Sequence, residues 1–387
     1  MCVRHGAPSP PCPDFDITKE IRMQRRMVTL TIALGLVLMF VSSAAVAQYK
    51  LTNLSSNQVK QARHDDPLLV NAWGLVHAPG SPWWVSDNNS GWSTLYDGQG
   101  NQVQTLKVLI PTAGNGPDSP TGLNGPGSPT GIVWNGSKEF QVKAGAPAVF
   151  LFATLDGTIS GWTPGSNINQ ATLAVDTTAN KNPHPAMYTG LAITSKASGN
   201  FLFAADMANA KVDAYDGTFT PVTLAAGAFT DPSLPAGFAP FGVQDIDGLV
   251  YVTFADVNGG AGGFVELFTE DGTPARTTPL LQGKPLNQPW GVAVAPKNFG
   301  RLSNTLLISN NTDHGTINAF NAADGQFVGT VKADGRPIVI DQLWGIGFGD
   351  GTGKNGTTNQ LFFTAGPGNN LAGTFGVITV SQDHDND

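Results

Sequence analysis

The chain has 387 residues, 47 of them Gly and 27 Pro, with 41% hydrophobic and 13% charged residues and a formal net charge of -8. That density of turn formers excludes a helical bundle, and the hydrophobic share excludes a disordered chain. The acidic balance, with no basic run beyond residue 26, excludes nucleic acid held through its phosphates.

Residues 1–47 read as a leader. Arg25 and Arg26 precede an apolar run from Met27 to Val41, and Ala45-Val46-Ala47 supplies a small-residue cleavage site, the order of a secretory signal peptide. The run is short for a membrane span, which needs about 20 apolar residues. Met23 and Met27 are more ordinary starts, which puts translation of residues 1–22 in question. Cleavage after Ala47 removes both cysteines, Cys2 and Cys12, so the mature chain carries no disulfide, no thiolate nucleophile and no Cys-ligated metal. The expectation is an exported protein, periplasmic or secreted, with no membrane span after cleavage.

Beyond the leader one pattern recurs: an aromatic or small residue, then Gly, then an aliphatic run. Its glycines are Gly74, Gly131, Gly190, Gly242, Gly291 and Gly345, spaced by 57, 59, 52, 49 and 54 residues. Each unit continues with a second strand, such as Trp83-Trp84-Val85-Ser86 or Leu306-Leu307-Ile308-Ser309. A third comes next, such as Val212-Asp213-Ala214-Tyr215, and Asp-Gly comes after several of these as a hairpin turn. Aliphatic and aromatic residues alternate with small or polar ones, the period of half-buried strands. Six units of four antiparallel strands predict an all-β, six-bladed β-propeller. The sixth unit runs out at its third strand, Phe375-Gly376-Val377-Ile378, and Gln48 to Leu54 reads as the strand that completes it. The predicted domain spans 48–380, and residues 381–387 form an acidic tail.

The residues Asn71-Ala72-Trp73-Gly74-Leu75, Trp84-Val85-Ser86-Asp87-Asn88, Pro289-Trp290-Gly291-Val292-Ala293 and Leu343-Trp344-Gly345-Ile346 carry a resemblance. The mature chain resembles, over essentially its whole length, a family of exported bacterial hypothetical proteins related to NHL-type propellers. The resemblance implies the propeller fold and export. It implies no catalytic residues, because that family has no established activity. Some members end in a Pro-Glu-Pro sorting segment, which this sequence lacks.

In a propeller, second-to-third-strand turns and blade-to-blade loops share one face. Here the blade-to-blade loops are long and rich in Gly and Pro, and long loops on a rigid face are where binding concentrates. The turns bring Asp87, Asn88, Asn89, Asp206, Asp256, Asn310, Asn311, Asp313 and His314 to that face, and a blade-to-blade loop brings His184. Asn71, Gln288 and Gln342, each three residues before a repeat glycine, are expected near the channel mouth.

Two readings of these residues stand side by side. As hard oxygen donors around the axis they would suit Ca²⁺ or another divalent ion. As turn residues, Asp and Asn bond their own backbone. The runs Asn310-Asn311-Thr312-Asp313-His314 and Asp87-Asn88-Asn89 carry more polarity than one turn requires. His64 and His314, each beside Asp, could serve as general bases. No H-E-x-x-H or G-x-S-x-G motif is present, and Gly349 to Gly356 reads as a hairpin loop rather than a phosphate loop. Trp73, Trp290 and Trp344 share a repeat position suited to inter-blade packing, while Trp83 and Trp92 are candidates for a stacking surface.

The leading expectation is a scaffold that binds a small molecule, a glycan or a protein partner on its loop-rich face. The alternative is a metal-dependent hydrolase, like a lactonase or esterase, with its site at the channel mouth. At least three Asp, Asn, Glu or His side chains converging on the axis would favour the enzyme. An apolar channel with aromatics at the rim would favour binding.

Overall fold

The computed structural model describes residues 48–103, 106–114, 126–165, 168–179, 184–194 and 199–381. The predicted leader and the acidic tail beyond Ser381 lie outside the described residues.

Six antiparallel sheets form the ring, each beginning with the strand that carries a repeat glycine. These inner strands are Ala72–Val76, Pro129–Trp134, Tyr188–Ile193, Phe238–Ile246, Pro289–Val294 and Leu343–Phe348. The ring closes as the sequence predicts. Gln48–Ser56 pairs antiparallel with Thr374–Ser381, so one blade holds both ends of the domain and neither end leaves an open edge. A short parallel strand, His64–Asp65, lies outside Gln48–Ser56 and puts His64 on the outer edge of that blade.

Blade 3 differs from the predicted four strands. It has three regular ones, and the segment after Asp216-Gly217 touches the third only through an isolated bridge between Tyr215 and Pro221. Val222 N–H still reaches the Ala214 carbonyl at 2.8 Å. Pro221 stands opposite Tyr215 where an N–H would point away from the third strand, and regular pairing stops after this one bridge.

The glycines explain how the blades fit. In every blade the pairing of inner and second strands slips close to the repeat glycine. A Cβ at Gly74 would run into the Thr130 carbonyl oxygen of blade 2, and one at Gly345 would lie 3.0 Å from the Trp73 carbonyl oxygen of blade 1. Inner strands therefore approach too closely for any side chain at this point.

A hydroxyl from the second strand completes the joint. Ser309 Oγ accepts the Gly291 N–H at 2.8 Å and donates to the Trp344 carbonyl of blade 6 at 2.6 Å. Thr364 repeats this, accepting from Gly345 N–H at 3.0 Å and donating to the Trp73 carbonyl of blade 1. Thr253 Oγ1 takes the Gly242 N–H at 2.8 Å. Each hydroxyl satisfies an amide freed by the slipped pairing, which would otherwise be buried without a partner.

Candidate functional site

The loop-rich face is built on three residues with an uncommon backbone. Asn71, Gln288 and Gln342 have φ of 51°, 50° and 49°, in the left-handed region that side chains other than Gly, Asn and Asp rarely adopt. The turn aims each N–H backwards and each carbonyl forwards. Gln288 N–H reaches the Gly262 carbonyl at 2.8 Å, and its own carbonyl accepts from Asn311 at 2.9 Å. Gln342 N–H reaches Thr312 at 2.8 Å, and its carbonyl accepts from Gly366 at 2.9 Å. Asn71 does the same between Ala372 and Asn88. Each residue thus ties the second-to-third-strand turn of one blade to that of the next.

At the axis this face is closed by aromatic rings. Trp73 and Trp344 stack with centroids 3.6 Å apart, Trp290 meets Trp344 edge-on at 5.9 Å, and Phe241 lies 5.6 Å from Trp344. The Trp344 indole N–H donates to Asn71 Oδ1 at 3.0 Å, and that of Trp290 crosses to the Thr189 carbonyl at 2.9 Å. Inter-blade packing, the expected role of these tryptophans, here takes the form of a plug. Below it, the waist of the channel encloses only about 30 Å³ among the repeat glycines and the aliphatic residues next to them.

Most of the predicted Asp and Asn residues serve the backbone around them. Asp206 accepts from the N–H groups of Met187 and Asn209 at 3.1 and 3.3 Å, capping a short 3-10 turn. Asp256 accepts from Asn258 N–H at 2.8 Å. Asn310 accepts from Asn287 N–H at 3.1 Å and donates to the Pro285 carbonyl at 2.8 Å. Asn88 and Asn311 each donate to the first inner-strand residue of the following blade, at Pro129 (3.1 Å) and Leu343 (3.3 Å).

Asp87 is different. It is fully buried, and neither carboxylate oxygen makes a hydrogen bond of ordinary geometry. Burial pushes its carboxyl well above the usual carboxylate range, with Asp66 adding to the effect and Thr94 opposing it. Thr94 gives its own hydroxyl proton to Tyr96 Oη at 2.9 Å, and Tyr96 donates to Asp66 at 2.6 Å. Asp87 is therefore an acid buried inside blade 1, where its charged form is disfavoured, and not an exposed side chain.

Five of the predicted residues do come together. Gln288, Asn311, Asp313, His314 and Gln342 line one cleft of about 590 Å³, with Asn287 and Thr312 beside them. Four separate loops contribute: the second-to-third-strand turns of blades 4 and 5 and the lead-ins to blades 5 and 6. Gln342 Nε2 donates to Asp313 Oδ1 at 2.7 Å, and Gln288 Nε2 donates to the Gly260 carbonyl at 2.5 Å. Asp313 and His314 are exposed. His184 and Asp206 line a second cleft, of about 580 Å³, with Lys211, Asp213 and Tyr215. There Lys211 Nζ sits 2.6 Å from Asp213 and 3.9 Å from Asp206.

Among the described residues no group of three or more His, Cys, Asp or Glu side chains is arranged to hold a metal. Trp83 is buried with its N–H on the Asn355 carbonyl at 2.9 Å, while Trp92 stays partly exposed under Lys107 Nζ at 5.0 Å. Sequence reasoning missed Asn287, which adjoins the predicted Gln288, and named Thr312 only within the run from Asn310 to His314. It also missed Ser309, Thr364 and Thr253, although a hydroxyl recurring in the second strand was a signal available to find them.

No family model matches the chain. An uncharacterised protein of Acanthamoeba polyphaga mimivirus is 28% identical over 351 residues, covering 87% of this chain and 82% of that protein. A second from the same virus is 28% identical over 314 residues, covering 78% and 79%. These relatives come from a giant virus, so the resemblance to an exported bacterial family stands at the level of the fold. A solved glucose dehydrogenase matches with a TM-score of 0.50 at 11% identity, covering 86% of this chain and 99% of that one, a likeness of fold alone.

Proposed function

We propose that this chain is an exported, non-catalytic binding propeller that holds a hydroxyl-rich ligand in the cleft between the turns of blades 4, 5 and 6. The ligand class is a free glycan or a glycan on a partner protein. One observation carries the reading: Asn287, Gln288, Asn311, Asp313, His314 and Gln342 meet in a single cleft while the axis is plugged by indole rings. Side-chain amides offer both donors and acceptors, which matches hydroxyls that do the same. Gln288 and Gln342 hold left-handed backbones at a cost of about 1 kcal/mol each, and strain of this kind gathers at binding sites. The volume lies within the range of small-ligand sites.

The hydrolase alternative has less support. The axis is filled by Trp73 and Trp344, and the Asp, Asn and His side chains that do gather lie in a cleft lined by blades 4 to 6 alone rather than on the axis, with Asp313 as its one carboxylate.

The test is calorimetric titration of the full chain with a panel of mono- and oligosaccharides, repeated with Asp313→Ala and Gln342→Ala. Saturable binding that both variants weaken by about tenfold, near 1.4 kcal/mol, is the expected result. A panel without a binder, or binding indifferent to both variants, overturns the proposal. Melting with chelator and then with Ca²⁺, Mg²⁺ or Zn²⁺ separates the alternative, since a bound ion must raise Tm by mass action. Export is tested by expression in a bacterial host and N-terminal sequencing of the released protein, with Gln48 expected first.

A further inference from the structure

The opposite face of the ring holds a cavity that none of the loop-face residues lines. Residues two apart on a strand face the same way. The residue after each repeat glycine lines the waist: Leu75, Ile132, Leu191, Val243, Val292 and Ile346, one from every blade. Two positions further along the same strands stand His77, Trp134, Ile193, Asp245, Val294 and Phe348, again one per blade, around a cavity of about 450 Å³. The channel therefore widens from an aliphatic waist into a funnel. It is blind, because the waist has room for only about two waters and the tryptophan plug lies beyond it.

We infer that this funnel binds a compact, uncharged hydrophobic molecule carrying one hydrogen-bonding group. The walls come from the inner strands of all six blades, so the site is formed before any ligand arrives. Apolar surface gathered in a concave site marks a ligand pocket, whereas singly scattered apolar residues do not. Val294, at 45% exposure, presents its isopropyl group at the rim, and Ile193, Ile246 and Trp134 are half-buried around it. The polar side chains of the lining are Gln244, Asp245 and His77, and backbone groups add further polar surface between the apolar side chains. His77 is held by Phe348 carbonyl oxygen at 3.1 Å and Ala78 carbonyl oxygen at 3.2 Å, and stands three blades from Asp245. Gln244 and Asp245, on neighbouring positions of one strand, are the side chains placed to meet one polar group of a ligand. A blind pit of this volume excludes a threaded peptide and suits a small molecule.

The probe is N-phenyl-1-naphthylamine, a neutral aromatic amine with a single N–H, whose fluorescence rises in apolar surroundings. Titrated into the full chain it should bind saturably at one site. Val294→Arg places a cation on the surface the probe must cover and should weaken binding at least about tenfold. Val294→Ala, which removes two methyl groups from an already exposed side chain, keeps the fold and should weaken it about threefold. Asp313→Ala, in the loop-face cleft, should leave the titration unchanged. No saturable signal, or a titration unaltered in both Val294 variants, overturns the inference. The funnel and the cleft share no residue, so the two proposals fail separately.

Discussion

Two turns at the same place in the repeat have opposite fates. In blade 1 the second strand ends at Asp87 and the third begins at Trp92, leaving residues 88–91 between them. In blade 5 the second strand ends at Asn310 and the third begins at Ile317, leaving residues 311–316. The first residue of each turn does the same work, since Asn88 and Asn311 both donate to the opening of the next inner strand. The two additional residues in blade 5 change the rest of the turn. Asp313 and His314 are lifted into solvent beside Gln342, whereas Asp87 and Asn88 are sealed in. Polarity of sequence is similar in the two runs, and turn length decides whether it becomes a packing element or a site.

The largest expected effect separates these fates directly. Asn88→Ala removes the acceptor of Asn71 Nδ2 (3.1 Å) and the donor to the Pro129 carbonyl (3.1 Å), leaving both partners buried. It should cost about 2–4 kcal/mol of stability by urea unfolding. His314→Ala, at the exposed turn, should stay within about 0.5 kcal/mol. Equal losses at the two positions would dissolve the contrast.

Next is the pH dependence of Asp87. Its carboxyl is raised by burial in the folded chain, so the native state keeps a proton that the unfolded state gives up first. The contribution of this group is therefore full below the ordinary carboxylate range, and stability falls as pH rises from there toward the raised native value. Asp87→Asn retains the neutral shape and removes that slope. Thermal melts from pH 4 to pH 8 should show the variant gaining a few degrees over the parent at the upper end and little at the lower. A parallel shift at every pH would mean that Asp87 is ionised in place.

How much of this was legible depends on what each residue answers to. The glycine spacing and the alternating strands report a repeated collision between neighbouring backbones, so the six blades and the closing strand, expected at residues 48–54 and observed at 48–56, could be read without coordinates. Blade 3 misled because the sequence after Asp216-Gly217 has strand-like residues, yet their pairing with the third strand stops after the single bridge at Pro221. The gathering of Gln288, Asn311, Asp313, His314 and Gln342 was legible as a shared face but not as one cleft. Which loops adjoin depends on backbone angles at Gln288 and Gln342 that no composition signals. Asp87 was legible as polar and not as buried: it ends the second strand of its blade, a position that is buried at Asn310 as well, whatever the length of the turn that follows. The funnel was invisible for another reason: its residues read as ordinary inner-strand core, and only the ring's radius leaves space between them.

Shortening the blade 5 turn tests the role of turn length. Deleting Asp313 and His314 brings the turn to the blade 1 length. The variant should fold, with a loss of about 1 kcal/mol from the reset loop, because insertions and deletions at exposed turns are tolerated. Saccharide binding in the calorimetric titration should vanish, since both the carboxylate and the Gln342 contact leave together. Retained binding would move the site away from this turn.

The smallest effect has the most informative sign. Gln342 holds φ at 49°, where glycine meets no Cβ penalty. Its backbone bonds to Thr312 and Gly366 do not involve the side chain, so Gln342→Gly preserves them. The substitution relieves the left-handed strain but adds freedom to the unfolded chain, and the balance should be a gain of about 0.5 kcal/mol or less. The same change removes the amide that meets Asp313, so ligand affinity should fall while Tm holds or rises. Asn71, with the same backbone, gives the contrasting case. Its side chain takes the Trp344 indole N–H and reaches Asn88, so Asn71→Gly should lose stability by about 1–3 kcal/mol. Opposite signs at two residues of matching backbone would show that the left-handed position is a common stitch between blades. What differs is the use of the side chain, spent on the plug at Asn71 and held open to the cleft at Gln342.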